Sequence, residues 1–143
     1  MFQLDFDPAQ LSYGALLDEI WANRRGGRAY SRQYMEALFV ATPEQERVAR
    51  ERIGDRAPII VGARFWLAED YHQKYYLRHD SLLMRELAGL SPGDLVESTV
   101  AARLNGYVSG RGSLAMLREE IPRFGLSAEA QAHVEKVVAR RAA

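Results

Sequence analysis

The sequence predicts an α/β fold of the α+β type, in which a small sheet packs with helices and an all-helical segment follows. Two observations predict it. In residues 1–80, short apolar segments of strand length alternate with segments that repeat apolar residues at helical spacing. From residue 81 onward, only helical patterns follow. We therefore expect an α/β core with about three strands over residues 1–80, and a C-terminal helical extension over residues 81–143 that packs on this core.

Three segments of the first half have the pattern of strands. Phe2–Phe6 alternates apolar and polar residues with a period of two and is followed by Asp7-Pro8, which ends a strand. The other two predicted strands are Tyr34–Val40 and Pro58–Phe65. Because a helical segment separates each strand from the next, this order favours an open sheet with helices on its faces.

The two helices between these strands have recognisable start signals. Ser12 can cap a helix whose apolar stripe ends before Gly26-Gly27. Thr42 is followed by a proline and, three residues later, by Gln45. This capping box predicts a helix that extends to about Ile53.

Helical patterns fill the second half. They cover residues 82–87, 95–104 and 114–121, and Ser127 opens a last helix that runs to the C-terminus. Between them, Asn105–Ser113 contains three glycines, which can adopt positive φ and turn backbone amides toward an anion. A plain loop between helices is the simpler interpretation of this segment.

The composition excludes several classes of function. The 143 residues carry 19 Lys+Arg and 19 Asp+Glu, so the zero net charge provides no general attraction for nucleic acid. No apolar segment has the length of a membrane span and the N-terminus does not resemble a signal peptide, so we expect a soluble, cytoplasmic protein with no membrane partner. The absence of cysteine excludes disulfides, thiolate metal sites and thiol catalysis within these residues.

A longer motif points to a known family. Phe65–Tyr76 has the sequence FWLAEDYHQKYY, which resembles the aromatic-x-x-Ala-Glu-Asp-Tyr-His-Gln-x-Tyr signature of peptide methionine sulfoxide reductase A. Residues 6–21, 32–39 and 42–45 are similar to further segments of that family in the same order. The resemblance covers residues 1 to about 78, and the helical second half departs from it.

The resemblance implies both a fold and a chemistry. The family has a ferredoxin-like α/β core and reduces the S epimer of methionine sulfoxide with a cysteine nucleophile. In the family, that cysteine and a glutamate precede the segment that Phe2–Phe6 matches, and a further pocket acid aligns with Ala29, which has no carboxylate. A hydroxyl cannot replace the thiolate in nucleophilicity or redox exchange. We therefore expect no catalytic residue, no metal and no cofactor in this chain.

The family pocket nevertheless supplies candidate binding residues. Tyr34 matches a tyrosine whose hydroxyl helps to hold the sulfoxide oxygen, although a strand aromatic can also serve packing alone. The full set of candidates that the resemblance places at a vestigial pocket is Arg28, Tyr30, Gln33, Tyr34, Phe65, Trp66 and His72.

Two groups near the motif have structural alternatives. Glu69 and His72 share a helical face but supply too few ligands for a metal, so we expect Glu69 and Asp70 to cap a helix start. Tyr71 and Tyr75, four residues apart, belong to an aromatic band with Trp66 and Tyr76. We expect this band to cover the core, although it could also cradle a ligand.

These observations favour a non-catalytic domain that binds a peptide, a small molecule or another protein. One alternative is reductase activity completed by a cysteine from a partner chain. A second is a purely structural subunit, for example of a homo-oligomer, because an incomplete sheet leaves an edge and a face to be covered.

Overall fold

The computed structural model describes residues 3–24 and 35–142. The chain forms two compact units, which divide between Trp66 and Leu67. The described residues of the first unit form two helices and two strands, and the second unit is helical. The predicted α+β class with a helical C-terminal part is therefore confirmed.

The first unit is a small α/β arrangement. Its elements are, in chain order, α1 (Tyr13–Asn23), β1 (Leu38–Val40), α2 (Pro43–Ile53) and β2 (Ile59–Val61), with a 3₁₀ turn at Gly54–Arg56. The strands are parallel, and Leu38 pairs with Ile59 while Val40 pairs with Val61. The residues of its core cluster are Leu17, Val40, Ala49, Ile53 and Ala57.

Both predicted helix starts of this unit are confirmed. Ser12 Oγ accepts a hydrogen bond from Ala15 N at 3.2 Å. Thr42 Oγ1 accepts one from Gln45 N at 3.1 Å, and the Gln45 side chain accepts one in turn from Ala41 N at 2.8 Å. Polar side chains thus satisfy amides that have no partner within the helix.

The predicted strands are corrected. Gln3–Phe6 forms no strand, and the chain turns directly afterwards, with Gln10 N and Leu11 N both donating to Asp7 O. An alternating apolar and polar pattern forms a strand only where a neighbouring strand pairs with it. Among the described residues, the only paired strands are β1 and β2. Both strands span three residues and are shorter than predicted. The start of the predicted second strand, Tyr34, lies outside the described residues.

The second unit is built from six helices and two 3₁₀ turns, at Asp70–His72 and Ile121–Arg123. The helices are α3 (Tyr75–Arg78), α4 (Ser81–Glu86), α5 (Pro92–Glu97), α6 (Thr99–Val108), α7 (Leu114–Glu120) and α8 (Ala128–Ala142). The buried residues that form its core cluster are Leu77, Leu83, Leu95, Ala101, Leu104, Tyr107, Val108, Leu117, Ile121, Leu126, Ala130, Val134 and Val138.

Serine side chains mark the starts of four helices in this unit, α5 to α8. Ser91 forms a full capping box with Asp94. Ser127 Oγ accepts from Ala130 N at 3.2 Å, so the helix start predicted there is confirmed. The single helix predicted over residues 95–104 is wrong, because Ser98 ends α5 and caps α6. Ser98 has extended backbone angles, so two helices meet there at an angle instead of continuing as one.

Residues 67–80 belong to the helical unit, since Leu77 is fully buried in its core. The division of the chain into functional domains at residue 80 rests on sequence resemblance and stays a prediction. No helix within residues 3–24 and 35–142 has the length and apolar character needed to span a bilayer.

Candidate functional site

The structure describes three of the seven candidate residues. Arg28, Tyr30, Gln33 and Tyr34 lie outside the described residues. Phe65 and Trp66 follow β2 at the end of the first unit, and His72 lies near the start of the second. Their assembly into one pocket therefore stays a prediction.

The aromatic residues that end the first unit differ in exposure. Phe65 is half-buried, while Trp66 is 67% exposed. The guanidinium carbon of Arg64 lies 4.0 Å from the centre of the Trp66 ring. This stacking leaves one face of the indole covered by a cation, in an arrangement that stabilises exposed sites modestly.

The acids of the family motif do not cap a helix. Asp70–His72 forms a 3₁₀ turn in which His72 N donates to Glu69 O at 2.9 Å. Glu69 precedes this turn without a side-chain cap, and no amide of the described residues donates to either carboxylate. The expected capping role is wrong because the chain interrupts the helix: Lys74 adopts a left-handed backbone with φ of 51°, and α3 begins only at Tyr75.

Exposed aromatic side chains lie on both sides of this interruption in the sequence, and we refer to all five together as the aromatic surface: Tyr71 and His72 before it, and Tyr75, Tyr76 and His79 after it. Its three tyrosines are 51–63% exposed. Tyr71 lies 4.2 Å from His72 between ring centres, and Tyr75 lies 4.4 Å from His79 and 5.5 Å from Tyr76. The expectation that Tyr71, Tyr75, Tyr76 and Trp66 cover the core is wrong, because the residue of α3 that enters the core is Leu77.

Two hydrogen bonds that the sequence does not reveal fix α3, and the first of them joins it to the helical core. Leu77 N donates to Asn105 Oδ1 of α6 at 3.1 Å, and Arg78 Nε donates to Gln73 O at 2.8 Å. Asn105 was predicted to belong to a loop, but it lies in the last turns of α6. Its spacing of four residues from Ala101 and three from Val108 is helical and could have indicated this position.

The chemistry of this surface suits binding. It offers flat aromatic faces, tyrosine hydroxyls and imidazoles, which together give apolar cover with a few polar contacts. No group of three or more metal-ligating side chains occurs in the part of the chain that the structure describes. The His79 ring is already engaged, since its Nδ1 lies 2.7 Å from Tyr75 O.

Two family models match the chain. Residues 1–91 match the model described as peptide methionine sulfoxide reductase, and residues 89–138 match the helical domain of selenoprotein methionine sulfoxide reductase A. The second match corrects the expectation that the helical half departs from the family. Helical patterns built from common apolar residues carry no short motif, so this similarity was not visible in single segments.

Similar proteins of known name agree with these matches. A peptide methionine sulfoxide reductase of Drosophila melanogaster is 35% identical in an alignment of length 139 that covers 89% of this chain and 56% of the relative. The MsrA protein of Methanoculleus marisnigri is 37% identical in an alignment of length 93 that covers 53% of this chain and 57% of the relative. That of Deinococcus radiodurans is 38% identical in an alignment of length 91 that covers 52% of this chain and 44% of the relative.

The chain spans about half the length of the curated relatives it matches. The first family model alone covers residues 1–91 of the 143, and it includes both units' shares of the Phe65–Tyr76 motif. The chain therefore belongs to the peptide methionine sulfoxide reductase family.

Proposed function

We propose that this chain is a non-catalytic member of the family that binds a peptide through exposed aromatic residues. The observation that carries the proposal is the combination of a zero cysteine count with an uncovered aromatic surface. The family chemistry requires a thiolate, whose nucleophilicity and redox exchange a tyrosine or imidazole does not reproduce. Binding can persist where the attacking group is absent, because it depends on different residues.

A peptide is the favoured ligand because the relatives are named as reductases of peptide methionine sulfoxide. Such a ligand presents apolar side chains together with amide and sulfoxide oxygens. The exposed rings of Tyr71, Tyr75 and Tyr76 can contact the apolar side chains of the peptide, and their hydroxyls can donate to its oxygens. Arg28, Tyr30, Gln33, Tyr34, Phe65 and Trp66 remain proposed contributors.

To test binding, the full chain is titrated with a short peptide that contains methionine sulfoxide, and the amide NMR shifts are recorded at each peptide concentration. We expect shifts at the aromatic surface, and Tyr76→Ala should weaken binding about 3- to 10-fold, the range for one aromatic contact. Phe39→Ala is the matched control, because Phe39 is also an exposed aromatic residue, at 41%, but lies on β1. Equal affinities of wild type and Tyr76→Ala would contradict the proposal.

Catalysis is tested separately with a thiol reductant and a peptide carrying methionine S-sulfoxide. We expect no turnover above the blank from this chain alone. Turnover that persists in purified wild type would contradict the non-catalytic assignment, whatever the binding result.

A second candidate function is a reductase completed by a cysteine from a partner chain. It is favoured by the length comparison, since the chain matches only 56% of the Drosophila melanogaster relative. Mixing the chain with the unmatched part of that relative should then produce thiol-dependent turnover that neither part shows alone.

A third candidate is a purely structural subunit. It predicts a stable homo-oligomer or protein complex in light scattering and no peptide binding.

A cytoplasmic location is also part of the proposal. It rests on the sequence expectation and is checked by cell fractionation.

A further inference from the structure

A small cleft of about 130 Å³ lies in the helical unit, between α6, α7 and the loop that joins them. Its walls include Arg103 and Tyr107 from α6, Arg111 and Gly112 from the loop, and Met116 from α7. Neither the family motif nor the aromatic surface contributes a residue to it. The cleft thus has two arginines among its lining residues, and its volume would admit a small ion.

Arg103 is fixed in place by a bidentate pair. Its Nε donates to Glu120 Oε2 at 2.8 Å and its Nη2 donates to Glu120 Oε1. Nη2 also donates to the Tyr107 hydroxyl at 3.1 Å, and that hydroxyl donates to Glu120 Oε2 at 2.9 Å. A planar guanidinium held at two points is oriented at little further cost in entropy.

This arrangement leaves donors of Arg103 unused. A guanidinium has five N–H donors, and the contacts to Glu120 and Tyr107 occupy Nε and Nη2. Among the described residues, no acceptor is bonded to the two N–H groups of Nη1. Both carboxylate oxygens of Glu120 already accept hydrogen bonds from Arg103 or Tyr107.

Arg111 supplies a second positive charge at the cleft. Its side chain is exposed and takes part in no hydrogen bond or ion pair within residues 3–24 and 35–142. Its backbone N donates to Gly106 O at 2.9 Å, which fixes the loop against α6. The two arginines and Glu120 together give a local charge of about +1.

The glycines of this segment shape the cleft instead of binding an anion themselves. The amides of Ser109, Gly110 and Arg111 donate to carbonyls of α6, so they do not form the backbone nest considered from the sequence. Gly112 has φ of 82°, and a Cβ there would lie 2.8 Å from Tyr107 Cε1. Only glycine can bring the loop this close to the tyrosine ring.

Charge states agree with this picture. Burial alone would raise the pKa of the Glu120 carboxyl, but hydrogen bonds from Arg103 and Tyr107 outweigh it and lower the pKa. The hydrogen bond to Glu120 raises the pKa of Arg103 further. Both groups are therefore charged at neutral pH, and the cleft keeps its excess positive charge.

We propose that this cleft binds a small oxyanion, a carboxylate or a phosphate, between Arg103 Nη1 and the guanidinium of Arg111. The group must present negatively charged acceptor oxygens because the cleft offers unpaired donors, and it must be small because the space is about 130 Å³. Met116 and Tyr107 add an apolar wall beside it.

The test titrates the full chain with inorganic phosphate and, in a separate arm, with acetate, at constant ionic strength set by sodium chloride. We expect saturable amide NMR shifts in residues 103–116 for at least one of the two anions, and the stronger one identifies the preferred class. Arg111→Gln should weaken that binding about 5- to 10-fold, as expected for loss of a charge-assisted contact. Arg85→Gln is the matched control, since it removes the same charge from an exposed position on α4.

Three outcomes would overturn the proposal. No saturable shift with either anion means that the cleft is not a binding site. Equal weakening by Arg111→Gln and Arg85→Gln means that only the general charge matters. A lower melting temperature of Arg111→Gln with unchanged binding means that Arg111 serves the negative end of the α6 dipole.

Discussion

The two units of this chain stabilise themselves in different ways. Among the described residues, the core cluster of the helical unit contains thirteen buried residues and that of the first unit five. The first unit depends on two three-residue strands whose pairing joins distant parts of the chain. The helical unit uses capped helices and a larger apolar core. Local signals therefore account for more of the second unit than of the first.

The difference also bears on function. The helical unit carries the aromatic surface and the arginine-lined cleft on a packed core, which limits their movement. Sites on rigid elements hold ligand-binding groups more accurately than sites on loops. We therefore expect the measurable binding of this chain to depend first on the integrity of the helical unit.

The largest expected effect comes from where the chain is cut. A fragment of residues 67–143 should unfold cooperatively, since it retains Leu77 and Asp80. A fragment of residues 81–143 loses the fully buried Leu77 and the Asp80 carboxylate, which caps α4 and pairs with His133 at 2.7 Å. It should be molten, with dye binding and a broad thermal transition.

The complementary fragment of residues 1–80 should aggregate, because α3 would expose Leu77 without its helical partners. Equally sharp transitions for the fragments beginning at residues 67 and 81 would show that α3 is dispensable. A well-folded, monomeric fragment of residues 1–80 would show that the predicted boundary at residue 80 separates independent domains.

A matched pair of core substitutions comes next in size. Leu104→Ala and Leu17→Ala each remove the same buried atoms, at 0% and 1% exposure. Both should lower the free energy of unfolding by about 2–5 kcal/mol, with Leu104→Ala toward the upper end because Leu104 lies in the larger cluster of buried residues. Urea unfolding measures both, and a larger loss for Leu17→Ala would reverse the comparison between the units.

Substitution of the helix caps should have a smaller effect. Thr42→Ala in the first unit and Ser91→Ala in the second each remove a side-chain acceptor from a helix start. We expect each to lower the free energy of unfolding by about 1 kcal/mol. Thermal unfolding followed by circular dichroism compares the two, and a loss below a few tenths of a kcal/mol would show that the cap is replaced by water.

The smallest expected effect is a pH dependence at Glu120. Its folded-state pKa is lowered, so the stability it contributes is present above its unfolded pKa of about 4.3 and is lost as pH falls through the folded value. Glu120→Gln should therefore lose less melting temperature than wild type between pH 7 and pH 3. Glu119→Gln, at an exposed neighbouring position, is the control and should follow wild type.

Features that depend on residues close together in the sequence could be predicted, and features that depend on distant residues could not. Ser12, Thr42 and Ser127 each accept a hydrogen bond from the amide three residues away, so their roles were predictable and are confirmed. The strand predicted over Phe2–Phe6 failed because strand formation depends on a distant partner.

The candidate site was only partly predictable for a related reason. The spacing of Tyr71 and Tyr75 is that of a shared helical face, but the left-handed backbone of Lys74 separates them. Composition does not reveal such a break, since a lysine adopts this conformation only where its surroundings require it. Likewise, the pairing of Arg103 with Glu120 depends on how α6 and α7 pack, and no local motif encodes it.

The bond from Leu77 N to Asn105 Oδ1 also bears on the order of folding. Four residues of α3 are too few to form a helix alone, and the acceptor for this first-turn amide comes from 28 residues further along the chain. The entropy cost of closing this loop is not offset by the hydrogen bond until α6 has formed. We expect α3 to form after the folding transition state, so substitutions in Tyr75–Arg78 should accelerate unfolding and leave the folding rate nearly unchanged.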